Sequence, residues 1–325
     1  MPTNRPVFII GCPRSGTTLL TLMLSSHSRI AIPPETRFLV QVFRRRRSVG
    51  DLTEKRNRRR LARTLVRRRG TKFGHLGLDR QQVKRAVVQA PPTMGSAIGA
   101  VYRTYAKSHG KARWGDKQPS YFRNVDLLRE LWPDAQFIHL VRDGRDCVAS
   151  LKQVPWWTHG TTGATATWVL SVDWARRAAR RLPPDAFLEL RYEDLVAAPR
   201  QELERLCSFL GEDFEDAMLQ PHVAAERLPA NQRDGWHRHT RAPVGPGRVG
   251  TYAGVLTPAE VGLVESVAGT RLRSLGYPVD GSGHASPAAL ARTYLSLTGM
   301  RLRTRFLAVN DRWLARPRGS VADRG

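Results

Sequence analysis

Val7-Phe8-Ile9-Ile10-Gly11-Cys12-Pro13-Arg14-Ser15-Gly16-Thr17-Thr18-Leu19-Leu20 is the stretch that decides the fold. Four apolar residues in a row predict a strand buried on both faces. The small-residue loop after it opens an apolar helix. Such a strand–loop–helix forms a phosphate cradle, because N–H groups of the loop and helix start converge on one anion and the helix dipole favours negative charge there. Gly11 and Gly16 permit the tight path, Arg14 adds a fixed charge, and Thr17 and Thr18 offer hydroxyls or cap the helix. The glycines keep the spacing of a nucleotide triphosphatase loop, Gly-x-x-x-x-Gly-Lys-[Ser/Thr], but Thr17 stands where that loop has its Lys. A 5′-phosphate held without metal therefore fits better than a Mg²⁺-dependent triphosphate. The bland reading of the same residues is a strand–turn–helix with a glycine turn.

A second apolar strand, Ala135 to Val141, runs into Arg142-Asp143-Gly144-Arg145-Asp146-Cys147-Val148-Ala149-Ser150. Arg142 sits at the strand's carboxyl edge, and Ser150 follows about two helical turns later. Both can face the crevice where open α/β sheets bind ligands, and an Arg fork with a hydroxyl suits a second phosphate. Alternatively, Arg142 pairs with Asp146 in an ordinary i,i+4 contact.

Taken together, the two segments resemble the sulfotransferases that use 3′-phosphoadenosine 5′-phosphosulfate (PAPS), and most closely the tyrosylprotein-sulfotransferase-like branch with its many bacterial enzymes. The resemblance covers residues 6 to about 277. It implies that Pro13, Arg14, Ser15, Gly16, Thr17 and Thr18 hold the 5′-phosphosulfate and that Arg142 and Ser150 hold the 3′-phosphate. Pro34-Glu35-Thr36-Arg37 falls where the family carries its catalytic Glu, with Arg37 beside it as an acceptor contact. Gly115-Asp116-Lys117-Gln118-Pro119 resembles its catalytic-lysine segment. Leu190-Arg191-Tyr192-Glu193-Asp194-Leu195 resembles a late strand with a cofactor-side Tyr, here Tyr192. Gly247-Arg248-Val249-Gly250-Thr251-Tyr252 takes the place of the last cofactor-gripping segment. There Arg248 is a candidate phosphate contact, although Tyr252 stands where the family usually has Trp, and Thr251 where it has Lys.

The expected fold is α/β of the P-loop type: three layers, α/β/α, around a central parallel sheet, with a mostly helical insertion. The domain is expected to span residues 1–282, with a basic helical cap at about 40–110, followed by a basic C-terminal helix and tail over 283–325. Strands are expected near 30–32, 112–115 and 187–192, and helices over 119–131, 144–153, 164–181, 199–210, 213–220 and 288–314. Residues 227–250 read as a long loop, a length that is usually functional.

The chain has 325 residues, and its net charge of +25 is concentrated. From Arg37 to Lys72, fifteen Lys/Arg stand against Asp51 and Glu54, and the last forty residues add eight more Arg. Such runs point to an anionic partner or surface, or to a solvated face. Cys12, Cys147 and Cys207 are too few and too scattered for a disulfide framework or zinc site, and are expected reduced and buried. No run reaches the length of a membrane span, and no signal-peptide pattern precedes the first strand. The expectation is a cytoplasmic protein, whose basic C-terminal helix either meets an anionic inner membrane face or packs its apolar face on the domain with its arginines solvated.

Sulfuryl transfer needs a base for the acceptor proton, in-line positioning, and stabilisation of the leaving oxygen. Locally, Glu35 reads as a carboxylate favouring a helix start; the resemblance makes it the general base. By the same resemblance Lys117 and Arg14 stabilise the leaving group, whereas Lys117 alone reads as a partner of Asp116. Trp156 and Trp157, in a Pro-led loop, are candidate acceptor contacts. His139 reads as a core residue, and His237 and His239 are alternative bases. The expected reaction is transfer from PAPS, with no metal, to a hydroxyl on a carbohydrate, glycolipid, phenolic metabolite or peptide tyrosine, and nucleic acid is not the expected partner. Two other readings are a P-loop kinase or NTPase-like nucleotide binder and a catalytically silent basic surface-binding protein.

Overall fold

The computed structural model describes residues 3–36, 38–67, 71–226, 244–281 and 283–315. Five parallel strands, β1 (Val7–Gly11), β2 (Ile30–Ala31), β3 (Arg113–Lys117), β4 (Gln136–Val141) and β5 (Phe187–Arg191), lie in the order β2-β3-β1-β4-β5. Strands β1, β3 and β4 are buried at every position, as expected for a parallel sheet covered on both faces. Alternation along the strands then splits the core in two. Val7, Ile9, Ile138, Leu140 and Leu190 face α1 (Thr17–Ser26) and α10 (Pro199–Leu210). Phe8, Ile10 and Phe137 face α5 (Met94–Ser108) and α8 (Gly160–Ala179). On that side Phe8 packs with Phe137, Trp132 and Trp114 at ring-centroid distances of 5.6, 5.5 and 6.0 Å.

From β1 the chain turns towards β2, and from β4 it turns towards β5. Adjacent strands whose connections diverge leave a crevice beyond their carboxyl ends. The pairing of Gly11 with Leu140 places the two phosphate-type loops at that crevice. Gly11 is required there, since a Cβ would stand 2.5 Å from the Leu140 carbonyl oxygen.

Between β2 and β3 the chain is helical: α2 (Phe38–Arg44), α3 (Lys55–Arg67), α4 (Arg80–Gln89) and α5. Asp79 and Thr93 cap α4 and α5 by accepting from the N–H groups of Gln82 and Ser96. α5 lies directly on β3, so it belongs to the layer that covers the sheet. Among the described residues the remaining helices are α6 (Val125–Leu131), α7 (Gly144–Lys152), α9 (Tyr192–Ala197), α11 (Pro221–Glu226), α12 (Pro258–Ser274) and α13 (Pro287–Ala315).

Several sequence expectations are corrected. The helix expected over 119–131 is a 3-10 turn, Pro119–Arg123, followed by α6 after Asn124. The helix expected over 213–220 is only a 3-10 turn, Asp216–Leu219. Tyr192 opens α9 and does not end the strand.

Part of the positive charge is internal. The Arg113 side chain is fully buried at the amino end of β3, where it donates to the carbonyls of Arg5 and Leu210 and pairs with Glu212 at 3.1 Å. Arg58 donates to the carbonyls of Val88, Leu52 and Thr53. Arg145 bridges Asp143 and Glu265, both at 2.7 Å, tying α7 to α12. Cys12, Cys147 and Cys207 are free and buried.

Candidate active site

A cavity of about 930 Å³ opens at the carboxyl ends of the strands, within the size range of small-molecule sites. Pro13, Arg14, Gly16, Thr17 and Thr18 line it from the loop after β1, and Glu35 lines it from the segment after β2. Arg142 and Ser150 line it from the end of β4 and from α7, Tyr192 from the end of β5, and Trp156 and Arg248 from later loops. Side chains far apart in sequence thus meet because five parallel strands end at one edge.

The loop after β1 is drawn tight by Ser15 N–H donating to Cys12 O at 3.1 Å. Arg14 has φ 73°, and Gly16 has φ 94° as it caps α1. A Cβ on Gly16 would stand 2.5 Å from Tyr192 Cδ2, so the loop is packed hard against that ring. Arg14 Nε donates to Ser150 Oγ at 3.0 Å, which joins the two phosphate-type segments directly. Burial pulls the Arg14 guanidinium below its ordinary value, and the charges of Arg142 and Arg248 lower it further. Three cations converging in one partly buried place form an anion site.

Arg142 makes the contact anticipated as the plain alternative: it pairs with Asp146 at 3.3 Å. It also donates to Arg14 O at 3.3 Å and to Arg248 O, and lies over the Tyr192 ring at 4.7 Å. Its Nε and Ser15 Oγ are buried without a hydrogen-bond partner. The Arg142 Nε donor lies beside the clustered cations, where an anion would satisfy it. Asp146 accepts from the N–H groups of Gly250 and Tyr252, both at 2.9 Å, so α7 also orients the Arg248 segment. Trp168 supports Arg142 from behind: its indole N–H donates to Arg142 O at 2.9 Å, and its ring lies where a Cβ on Gly144 would be.

At the β2–β3 side, Lys117 Nζ contacts Glu35 Oε1 and lies 3.4 Å from Thr18 Oγ1. Lys117 is held by its neighbour. Asp116 is completely buried and accepts from Tyr102 OH at 2.7 Å, Tyr121 OH at 2.6 Å and the Lys117 N–H at 2.9 Å. Burial pushes the Asp116 carboxyl up to about 6, against these hydrogen bonds.

Trp157 does not line the cavity; it packs against the core and its indole N–H donates to Gly160 O at 2.9 Å. The cavity lining gives its reading as an acceptor contact no support. Arg37, His237 and His239 lie outside the described residues. Ser15 is buried beneath the loop. His139 pairs with Glu189 across the β4–β5 register at 2.8 Å, as a core residue.

Lys72, Gln118, Ser120 and Gln153 line the cavity and were missed. Gln118 and Ser120 follow β3 directly and Gln153 is one helical turn past Ser150, so local signals existed for them. Lys72, at φ 55°, had none beyond its place in a basic run. Among the described residues, no group of three or more His, Cys, Asp or Glu is arranged to hold a metal ion.

A profile described as Sulfotransferase family matches residues 6–216. A protein-tyrosine sulfotransferase of Drosophila melanogaster is 26% identical over 220 residues, covering 66% of this chain and 39% of its own. The nodulation protein NoeE of Sinorhizobium fredii is 29% identical over 227 residues, covering 63% and 50%. The matched region thus spans half or less of these relatives' length. Among solved structures, the sulfotransferase domain of the Synechococcus PCC 7002 olefin synthase has the same fold, with a TM-score of 0.56 and 24% identity over 85% of this chain and 96% of that one. With the family profile spanning well over half of its length, the chain belongs to the sulfotransferase family.

Proposed function

We propose that the protein transfers the sulfuryl group of PAPS to an acceptor hydroxyl. The observation that carries this reading is the Arg14–Ser150 contact with Arg142 and Arg248 beside it. It joins two anion-binding segments in one cavity, as a nucleotide phosphorylated at both 5′ and 3′ positions requires. The unpartnered Arg142 Nε supports the same fit.

In this reading Thr17, Thr18, Arg14 and the loop N–H groups hold the 5′-phosphosulfate. Arg142, Ser150 and Arg248 hold the 3′-phosphate, and the Tyr192 ring walls the nucleotide. Lys117 leaves Glu35 for the bridging oxygen as that oxygen gains charge. Glu35 takes the proton of the acceptor hydroxyl as its oxygen bonds to sulfur. The bond from sulfur to the bridging oxygen breaks, and 3′-phosphoadenosine 5′-phosphate (PAP) leaves. The pairing of Lys117 with Glu35 supports this division of labour, because the base and the cation for the leaving group stand together within reach of Thr18. Trp156 lines the acceptor side. The acceptor is a hydroxyl compound.

Incubation with PAPS carrying labelled sulfur and an extract of the source cells tests the reading. The expected result is label in a new product and PAP released in equal amount. Stabilisation by ATP with Mg²⁺ but not by PAP, with no labelled product, would replace it with a triphosphate-using reading.

A further inference from the structure

Helix α13 has two apolar faces and needs only one of them to fold. Its side chains are described through Leu307. The inner face is seated on α8: Thr293, Leu297 and Thr304 are buried, Thr167 Oγ1 meets Met300 Sδ at 3.8 Å, and Arg301 pairs with Asp173 at 2.7 Å. The outer face carries Leu295, Leu302 and Phe306, which are 72%, 60% and 71% exposed, with Tyr294 beside them. Spacings of seven and four residues put the three on one stripe. Seven large apolar side chains are exposed among the described residues, and four of them are on this helix. Burial within the domain therefore does not explain this stripe, and such concentration marks a contact surface.

The charges on this helix narrow the partner. Arg292, Arg303 and Arg305 are exposed along it, and no Asp or Glu occurs between Pro287 and Leu307. We propose that α13 docks the protein on an anionic lipid bilayer, with Leu295, Leu302 and Phe306 entering the interface and the arginines meeting lipid phosphates. An exposed helix with an apolar stripe flanked by cations is the form of an interfacial helix, and juxtaposed Arg residues add attraction to an anionic leaflet. A second copy of the chain on the same stripe, related by a two-fold axis, would set arginines against arginines.

Vesicle flotation of the full chain tests this, using phosphatidylcholine alone or mixed with phosphatidylglycerol, at low and high salt. The protein is expected to float with the mixed vesicles at low salt and to be released as salt screens the arginines. The double variant Leu302→Glu/Phe306→Glu alters two exposed side chains. It is expected to keep its melting temperature and PAP binding while partitioning falls roughly tenfold or more. Flotation unchanged in the double variant, no flotation with either vesicle, or equal binding to neutral vesicles would overturn the proposal. So would a dimer in solution that the double variant converts to monomer, since the stripe would then be a contact between copies. PAP binding is read separately, so loss of docking and loss of the nucleotide site are told apart.

Discussion

Replacing Gly16 with Ala should damage stability and nucleotide binding together. Gly16 has φ 94°, a conformation that costs a residue with a Cβ roughly 1–2 kcal/mol. The new Cβ would also stand 2.5 Å from Cδ2 and 2.8 Å from Cε2 of Tyr192, a ring that is itself buried. Making room there is overpacking, worth about 1–3 kcal/mol, and shifting the ring disturbs its stacking with Arg142. The total is about 2–5 kcal/mol, enough to lower the melting temperature by several degrees. Gly110 supplies the control: its φ is 68°, and nothing lies within 4 Å of its added Cβ. Gly110→Ala should therefore cost only the backbone strain, about 1–2 kcal/mol, with no change in PAP affinity. Denaturant titration and calorimetry with PAP on both variants read these quantities. Equal destabilisation of the two, or wild-type PAP affinity in Gly16→Ala, would refute the account of the loop as packed against Tyr192.

Glu35→Gln should fold and bind PAP but lose turnover by roughly a hundredfold or more, as for a general base; near-normal turnover would move that role elsewhere. Asp116→Asn tests the buried carboxyl. The fold raises its pKa to about 6, from about 3.9 when unfolded. Between those values the folded state binds more protons, so the contribution of this group to stability falls as pH rises from about 4 to 6, by about 3 kcal/mol in all. The Asn variant should show a flatter stability profile across that window in denaturant titrations at stepped pH, and an unchanged slope would count against the assignment. Glu212→Gln removes the charge partner of the buried Arg113 and should cost about 3–5 kcal/mol, while the folded fraction binds PAP normally.

Most of the site was legible because its signals are local. Arg14, Glu35, Lys117, Arg142 and Tyr192 lie at or just beyond strand ends, and parallel strands bring those ends to one edge, whereas Ser150, Trp156 and Arg248 reach the cavity from α7 and later loops. The charge was harder to read. Arg113, Arg58 and Arg145 look in sequence like the surface arginines around them, but tertiary carbonyls and carboxylates absorb them inside the fold. Trp156 and Trp157 are neighbours with identical side chains, and only the packing around them sends one to the cavity and the other to the core. The break at Asn124 and the short turn at Asp216–Leu219 reflect backbone competition between 3-10 and α geometry, which apolar spacing does not resolve. The two faces of α13 were visible as apolar residues between arginines, but which of them the domain would cover was not.

Calorimetry with PAP and with AMP on the wild-type chain and on Ser150→Ala tests the central claim, a cavity with separate sites for a 5′- and a 3′-phosphate. Wild type should bind PAP more tightly than AMP by about 1.5–3 kcal/mol, the worth of a charge-assisted contact, or roughly tenfold to over a hundredfold in Kd. Ser150→Ala, which removes the partner of Arg14 Nε, should shrink that preference. Equal affinity of the wild-type chain for the two nucleotides would contradict the account.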